Sequence, residues 1–395
     1  MRPNKQVGAI ALSTTLALDA RAKELIAKGR DVVNMSVGEP DFDAPAAVQE
    51  AAVGSVRGGK VRYTPAEGTP ALRQAIAKHL KETRGIEYLP SEITVCHSAK
   101  HALSGTLLSL IEPGDEVLML LPAWVSYVEI VRYAGGVPVL VEPRADLGPD
   151  LAAIERATSA RTRGILLNSP CNPTGYTMTQ AEVRAIAALA EARDLWIVSD
   201  EIYRRLVYEG EANLSPASIS PSLRARTAII DGASKAFAMT GYRIGFVAAP
   251  APVAAAVGRL HSQLTGCPNA VSQAAYLAAL SAEPPEVARM CDEFKRRRDH
   301  LVAGLVGLGL PTPVPRGAFY TYSDISALCD ERGSKGFCED LLERENLAVV
   351  PGSAFELDGW IRLSYATSLE QIDRALERLG RFVASRRQRA TPSTR

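Results

Sequence analysis

The fold turns on one stretch: Thr227-Ala228-Ile229-Ile230-Asp231-Gly232-Ala233-Ser234-Lys235-Ala236-Phe237-Ala238-Met239-Thr240-Gly241-Tyr242-Arg243-Ile244-Gly245. A short apolar run leads into small residues, then a lysine, then an arginine eight positions on. The run reads as a buried strand. A lysine directly after such a strand sits at its carboxyl end, where α/β sheets place their ligands. An isolated lysine is ordinarily a solvated surface residue, so the neighbouring segments decide.

Outward from this stretch, apolar runs recur at 93–96, 116–121, 137–141, 164–168, 195–200 and 244–249. Several are apolar throughout rather than alternating, the pattern of strands buried on both faces of a mostly parallel sheet. Helical stretches at 98–111, 179–193 and 269–280 supply the covering layers. Asp200-Glu201-Ile202-Tyr203 ends one strand with charge where packing would want none. Asn168-Ser169-Pro170-Cys171-Asn172-Pro173-Thr174-Gly175 ends another. Three strand ends thus deliver Asn, Asp with Tyr, and Lys with Arg to one sheet edge.

Beyond Pro284-Pro285 the pattern changes to a long charged helix and strand-like pieces at 318–323, 348–350 and 360–364, the mark of a smaller α+β block. At the other end, Asp19 reads as the cap of a helix that stops at Gly29, ahead of the loop Val37-Gly38-Glu39-Pro40-Asp41-Phe42-Asp43. The basic residues 384–395 lack an apolar period and read as a disordered tail.

Composition excludes several classes. The chain has 395 residues, 47% hydrophobic and 23% charged, which is globular and not disordered. Lys and Arg number 45 against 44 Asp and Glu, a net charge of +1. That balance predicts neither a nucleic-acid nor a membrane partner. No apolar run approaches the roughly 20 residues of a membrane span. Arg2 and Lys5 before residues 7–18 mimic a signal peptide, but Ser13, Thr14 and Thr15 interrupt the run, and it reads as a structured arm. The six cysteines form no C-x-x-C pair and read as reduced thiols of a cytoplasmic protein. His79, His97, His101, His261 and His300 show no metal-ligand spacing, so no metal is expected.

The lysine segment, the Asn172-Pro173-Thr174-Gly175 turn, the Asp200-to-Tyr203 strand end and Arg362-Leu363-Ser364-Tyr365-Ala366 occur in the order found in class I/II aminotransferases, pyridoxal-phosphate enzymes of fold type I. The chain resembles that family from about residue 12 to 383. Ala99-Lys100-His101-Ala102-Leu103 and Pro122-Ala123-Trp124-Val125-Ser126-Tyr127 make it most similar to the bacterial aspartate/prephenate branch. The resemblance implies three regions. Residues 1–47 would be an arm and part of the small domain, 48–289 the large cofactor-binding domain, and 290–383 the small domain.

The resemblance also implies roles. Lys235 would hold the cofactor aldehyde as a Schiff base and, once freed, shuttle the substrate Cα proton. Asp200 would keep the pyridine nitrogen protonated, and Asn172 and Tyr203 would bond the ring's phenolic oxygen. Trp124 would stack on the ring. Ser98, Ala99 and Lys100 at a helix start, with Ser234 and Arg243, would hold the phosphate. Tyr63 of a neighbouring subunit would complete that cup, making the active unit a homodimer with shared sites. Arg362 would bind the substrate α-carboxylate as a two-pronged fork, with the Gly38 backbone closing over it. Lys100, beside Trp124 and Asn172, would read a second carboxylate.

Two departures stand out. Gly232 replaces a phosphate-binding serine of many relatives. Ala11 and Leu12 replace the basic residue and proline that precede the lid segment Ser13-Thr14-Thr15 in prephenate-active relatives. The expected reaction is transfer of an amino group from an amino acid, foremost L-aspartate, to 2-oxoglutarate by a ping-pong mechanism. An aromatic, kynurenine, alanine or prephenate aminotransferase, or a C–S β-lyase, would share Lys235, Asp200 and Arg362.

Overall fold

A computed structural model describes residues 1–2, 4–11, 14–59, 61–210, 213–282 and 284–390. Its strands are β1 (Val33–Asn34), β2 (Ile93–Cys96), β3 (Glu116–Leu120), β4 (Val137–Val141), β5 (Thr162–Asn168), β6 (Trp196–Asp200), β7 (Thr227–Gly232), β8 (Gly245–Ala248), β9 (Tyr320–Asp324), β10 (Leu347–Ala348), β11 (Val350–Pro351) and β12 (Trp360–Ser364). Seven form one sheet in the order β2-β8-β7-β6-β5-β3-β4, parallel except for β8. β11, β12 and β9 form a small antiparallel sheet. The fold is therefore α/β with a mostly parallel central sheet and a smaller α+β part, as the apolar runs indicate.

The continuous apolar runs are explained by burial on two faces. Ile165 and Leu167 of β5 and Ile197 of β6 pack on Ile154, Val183 and Ile186 from helices on one side. Leu166 and Val198, one residue out of phase, pack on Leu103 and Leu107 of helix Ala99–Leu110 on the other. Alternate side chains of one strand thus enter opposite cores. β4 departs from this reading. It is an edge strand, and its Val137 and Leu140 are exposed.

A separate core joins Val33 and Met35 near the amino end to Leu301, Phe319, Ile361, Leu363, Leu379 and Phe382. β1 pairs in parallel with β10, so the amino-terminal segment is built into the carboxyl-terminal block.

Two expectations are corrected. The first long helix runs Thr14–Ala27, so Asp19 lies inside it, where it pairs with Lys23 instead of capping. The disordered tail is also wrong over most of its length. Helix Leu369–Ala390 continues through it, and Arg386 bridges Asp330 and Asp340, carboxylates that the local sequence cannot show. Residues 391–395 lie outside the described residues.

Candidate active site

Strand direction assembles the site. β5, β6 and β7 run parallel and end at Asn168, Asp200 and Gly232. β8 is antiparallel to both β7 and β2, so β2 ends at the same edge, just before Ser98, and β8 begins there, just after Arg243. β12 of the small sheet brings Arg362 against this edge. The residues surround a cavity of about 410 Å³. Gly38, Ser98, Ala99, Lys100, Trp124, Asn172, Asp200, Tyr203, Ser234, Lys235, Arg243 and Arg362 all line it. Tyr63 does not: it is 99% exposed. Thr15 of the lid segment lines the cavity, while Leu12 and Ser13 fall outside the described residues.

Asp200 is buried with both oxygens engaged. Tyr127 donates its hydroxyl to Oδ2 at 2.7 Å, and the Ile202 N–H donates to Oδ1 at 3.2 Å. Burial pushes its carboxyl up to about 6, against the pull of these two donors. Asn168 ties the strand ends together, donating Nδ2 to the Asp200 carbonyl and accepting from the Asn172 N–H. Tyr203 shares a 2.8 Å hydrogen bond with the hydroxyl of Tyr320.

Lys235 is one of two lysines that line the cavity. Its Nζ donates to the Gly38 carbonyl, across 197 positions of chain. Burial lowers its pKa to about 8; Glu39 and Asp200 push it up, and Arg362 and Arg243 push it down. A lysine so placed carries a substantial neutral fraction near neutral pH, which an attacking amine needs.

The part of the cavity lined by Ser98 and Arg243 is built from strained backbone. Ser98 has φ of 144° and Arg243 a left-handed φ of 51°, values that non-glycine residues rarely adopt. Ser98 caps helix Ala99–Leu110, its hydroxyl accepting from the His101 N–H. The first amide N–H groups of that 12-residue helix have no intrahelical acceptor and face an anion favourably. Gly232 has a packing reason. A Cβ there would lie 2.7 Å from Gly245 Cα and 2.8 Å from the Ile244 carbonyl, so a serine cannot enter without moving backbone.

Arg362 of β12 is buried, 3% exposed. It donates Nη1 to Asn172 Oδ1 at 2.9 Å and Nη2 to the Ser36 carbonyl at 2.8 Å. Its Nε is buried without a partner, and its guanidinium lies 4.4 Å from the Tyr320 ring centroid. No carboxylate among the described residues pairs with it. Lys100 likewise has no acidic partner among them. Its ammonium lies 4.7 Å from the Trp124 ring centroid, and burial and Arg243 lower its pKa. The set comprises a helix start, hydroxyls, an arginine, an amine and a buried carboxylate. These donors fit a phosphorylated aldehyde cofactor with a basic ring nitrogen.

The sequence reading missed Tyr127, Asn168, Tyr320 and Ser36 as site residues. Tyr127 and Asn168 lay inside quoted segments, but only the fold shows which atoms they bond. Tyr320 meets Tyr203 across 117 positions and left no local signal.

Residues 30–379 match the model of the family described as aminotransferase class I and II. The chain is 40% identical to the aspartate aminotransferase of Geobacillus stearothermophilus, over 98% of this chain and 100% of that one. It is 42% identical to the aspartate/prephenate aminotransferase of Thermus thermophilus, over 96% and 98%. The solved aspartate aminotransferase of Thermus thermophilus with maleate superposes with a TM-score of 0.93 at 41% identity, covering 97% of this chain and all of that one. The enzyme from Rhizobium meliloti also gives 0.93, at 37% identity over 97% and 99%. A match that runs nearly end to end, at these identities and TM-scores, places the chain in the pyridoxal-phosphate-dependent aminotransferase class I and II family, as an aminotransferase of group EC 2.6.1.

Proposed function

We propose that this aminotransferase moves the amino group of a dicarboxylic amino acid, foremost L-aspartate, to 2-oxoglutarate by a ping-pong mechanism. One observation carries the reading. Two cations, Arg362 and Lys100, face one cavity, and neither pairs with a carboxylate among the described residues. A buried guanidinium without a counter-ion is costly unless a ligand supplies the charge. Arg362 suits the α-carboxylate that every amino acid brings, and Lys100 a second carboxylate at the side-chain end.

Pyridoxal phosphate, when bound, supplies an aldehyde for the amino group and a conjugated ring that takes up electrons released at the substrate Cα. Lys235 would be the amine that holds the cofactor aldehyde and that, once freed, takes the proton from the substrate Cα. Asp200 holds a proton on the ring nitrogen. Asn172 has committed its carbonyl oxygen to Arg362, so its NH₂ is what remains to donate to the ring oxygen, beside Tyr203. Ser98, the backbone at Ala99 and Lys100, Ser234 and Arg243 would hold the phosphate, and Trp124 would lie against the ring. Arg362 and Gly38 fix the α-carboxylate and so orient the Cα–H bond toward Lys235.

The same reading makes the protein a homodimer in which the partner's Tyr63 reaches the phosphate. It divides the chain into an arm at 1–47, a large domain at 48–289 and a small domain at 290–383. Six free thiols support a reducing, cytoplasmic setting. No described helix is long and apolar enough to cross a membrane. A second reading takes prephenate as the oxo-acid partner. The name of the Thermus relative favours it, and prephenate too carries two carboxylates.

Lys100→Ala tests the dicarboxylate reading. Leaving one partner of a buried charge pair alone costs roughly 2–5 kcal/mol. kcat/KM for aspartate and glutamate should fall by tens- to thousands-fold, while alanine and aromatic donors stay within a few-fold. An equal fall for all donors, partly rescued by added pyridoxal phosphate, would instead make Lys100 a phosphate ligand only.

A further inference from the structure

Next to the ends of β6 and β7 lies a charge cluster that the proposed chemistry does not use. Arg84, the last residue of helix Pro70–Arg84, is buried with its side chain 1% exposed. It donates Nη1 to Glu201 Oε2 at 2.6 Å and Nη2 to Asp231 Oδ2. Glu201 directly follows Asp200 on β6. Asp231 directly precedes Gly232 on β7, four residues before Lys235.

Each carboxylate is anchored again at its other oxygen. Glu201 Oε1 accepts from Ser199 Oγ at 3.0 Å and Ser215 Oγ at 2.5 Å. Asp231 Oδ1 accepts from the Gly232 N–H at 2.7 Å. Arg204 stands 3.9 Å from Glu201, and His79, Tyr88, Arg205 and Tyr276 complete the titratable surroundings. One planar fork therefore spans two adjacent strand ends, at the residues next to those that present Asp200 and the Lys235 loop.

We propose that Arg84 is a positioning residue for amino-group transfer, clamping Glu201 and Asp231 so that Asp200 and Lys235 are held at fixed separation. The proposal rests on the reading that Asp200 and Lys235 serve the cofactor. A buried ion pair is by itself weak evidence of stability, since apolar residues of similar volume often serve as well. What apolar residues cannot reproduce is a two-pronged link of defined length between two strands. The clamp also sets charge. Glu201 and Asp231 both act to raise the proton affinity of Asp200, and Arg84 is the cation paired with both of them.

The test compares the holoenzymes of wild type, Arg84→Lys and Arg84→Met, plus Arg84→Met/Asp231→Asn, which removes the clamp's cation together with one carboxylate and so keeps the cluster's net charge. In Arg84→Met, kcat should fall at least about tenfold for aspartate and alanine alike, with KM within about twofold. The pH midpoint of the bound-cofactor absorbance should move upward, because a cation has been removed. In the cofactor-free proteins, amide hydrogen exchange should quicken at 199–202 and 230–235 and stay unchanged elsewhere. Arg84→Lys, which keeps the charge but not the fork, should lose kcat with a smaller midpoint shift. The double variant should restore the midpoint but not kcat.

A lowered thermal midpoint with unchanged kcat, absorbance titration and exchange would make Arg84 a structural brace and overturn the proposal. If Arg84→Met fails to fold, wild-type behaviour of Arg84→Lys in all three measurements would overturn it as well. Lys235→Ala and Asp200→Ala serve as separate controls. If they retain activity, the reading of the cavity has failed, and not the clamp.

Discussion

Asp200 illustrates how one residue's chemistry is set by its supports. Desolvation favours its neutral form, and a neutral acid cannot hold a proton on a ring nitrogen. The phenol of Tyr127 and the N–H of Ile202 oppose this by stabilising the anion. A hydrogen bond to a charged group is worth about 1.5–3 kcal/mol. Tyr127→Phe should therefore raise the pH at which Asp200 ionises and lower kcat by about tenfold or more, with KM for the amino donor little changed. Asp200→Asn should cost several orders of magnitude, since its amide cannot supply the charge. A Tyr127→Phe enzyme with a wild-type pH–rate profile would remove Tyr127 from the mechanism. The sequence showed Asp200 because a charge at the end of an apolar run is conspicuous. Tyr127 was invisible as a partner because an aromatic among aromatics reads as core, and its bond to Asp200 spans 73 positions.

At the scale of elements, the sheet was legible because burial on two faces leaves continuous apolar runs. Strand ends were legible because polar residues interrupt those runs. Helix ends were less so. Ser13-Thr14-Thr15 reads as a break, yet the helix opens at Thr14. The 384–390 segment shows no apolar period because ion pairs, not apolar contacts, extend that helix. A similar blind spot hides the cluster of His97, His101 and His261, which join β2's end, the phosphate-side helix and helix Ala251–Leu264. Their ring centroids lie 4.7–5.6 Å apart. His261 is 1% exposed, and neither ring nitrogen has a partner of normal hydrogen-bond geometry. Burial, with His101 and His97 adding to it, lowers its pKa to about 4. The folded state thus binds this proton less readily than the unfolded chain, whose histidine titrates near 6.5. The stabilising difference is complete above about pH 6.5 and is lost as pH falls toward 4, by roughly 2 kcal/mol at pH 5. His261→Leu should flatten the fall in thermal midpoint between pH 7 and pH 5. An unchanged slope would show that His261 accepts its proton without cost.

At the scale of the whole molecule, Tyr63 is the residue whose position makes no sense within one chain. It is almost fully exposed, with Val61 and Val56 exposed nearby in sequence. Yet the loop that carries it is tied down. The Thr64 N–H bonds Cys267 Sγ at 3.3 Å, and Gln273 bonds both Thr64 Oγ1 at 3.0 Å and the Thr69 N–H at 2.7 Å. Gly68 has φ of 96°, and a Cβ there would strike Val95. A large aromatic held out on an anchored loop suits a docking partner, and the proposed dimer gives it one. Dimerisation alone would not show that Tyr63 crosses the interface, so complementation is the sharper test. Tyr63→Ala should weaken cofactor retention by about tenfold through loss of one phosphate contact. Lys235→Ala should be inactive. Mixed and reassembled in equal amounts, the two chains form hybrid dimers. If Tyr63 serves the neighbouring site, each hybrid holds one site with the tyrosine of one chain and the lysine of the other. Random pairing then restores wild-type cofactor retention to about a quarter of all sites. If Tyr63 serves its own chain, every site retains one lesion and mixing restores none. An active monomer in sedimentation at assay concentration would exclude the shared site outright.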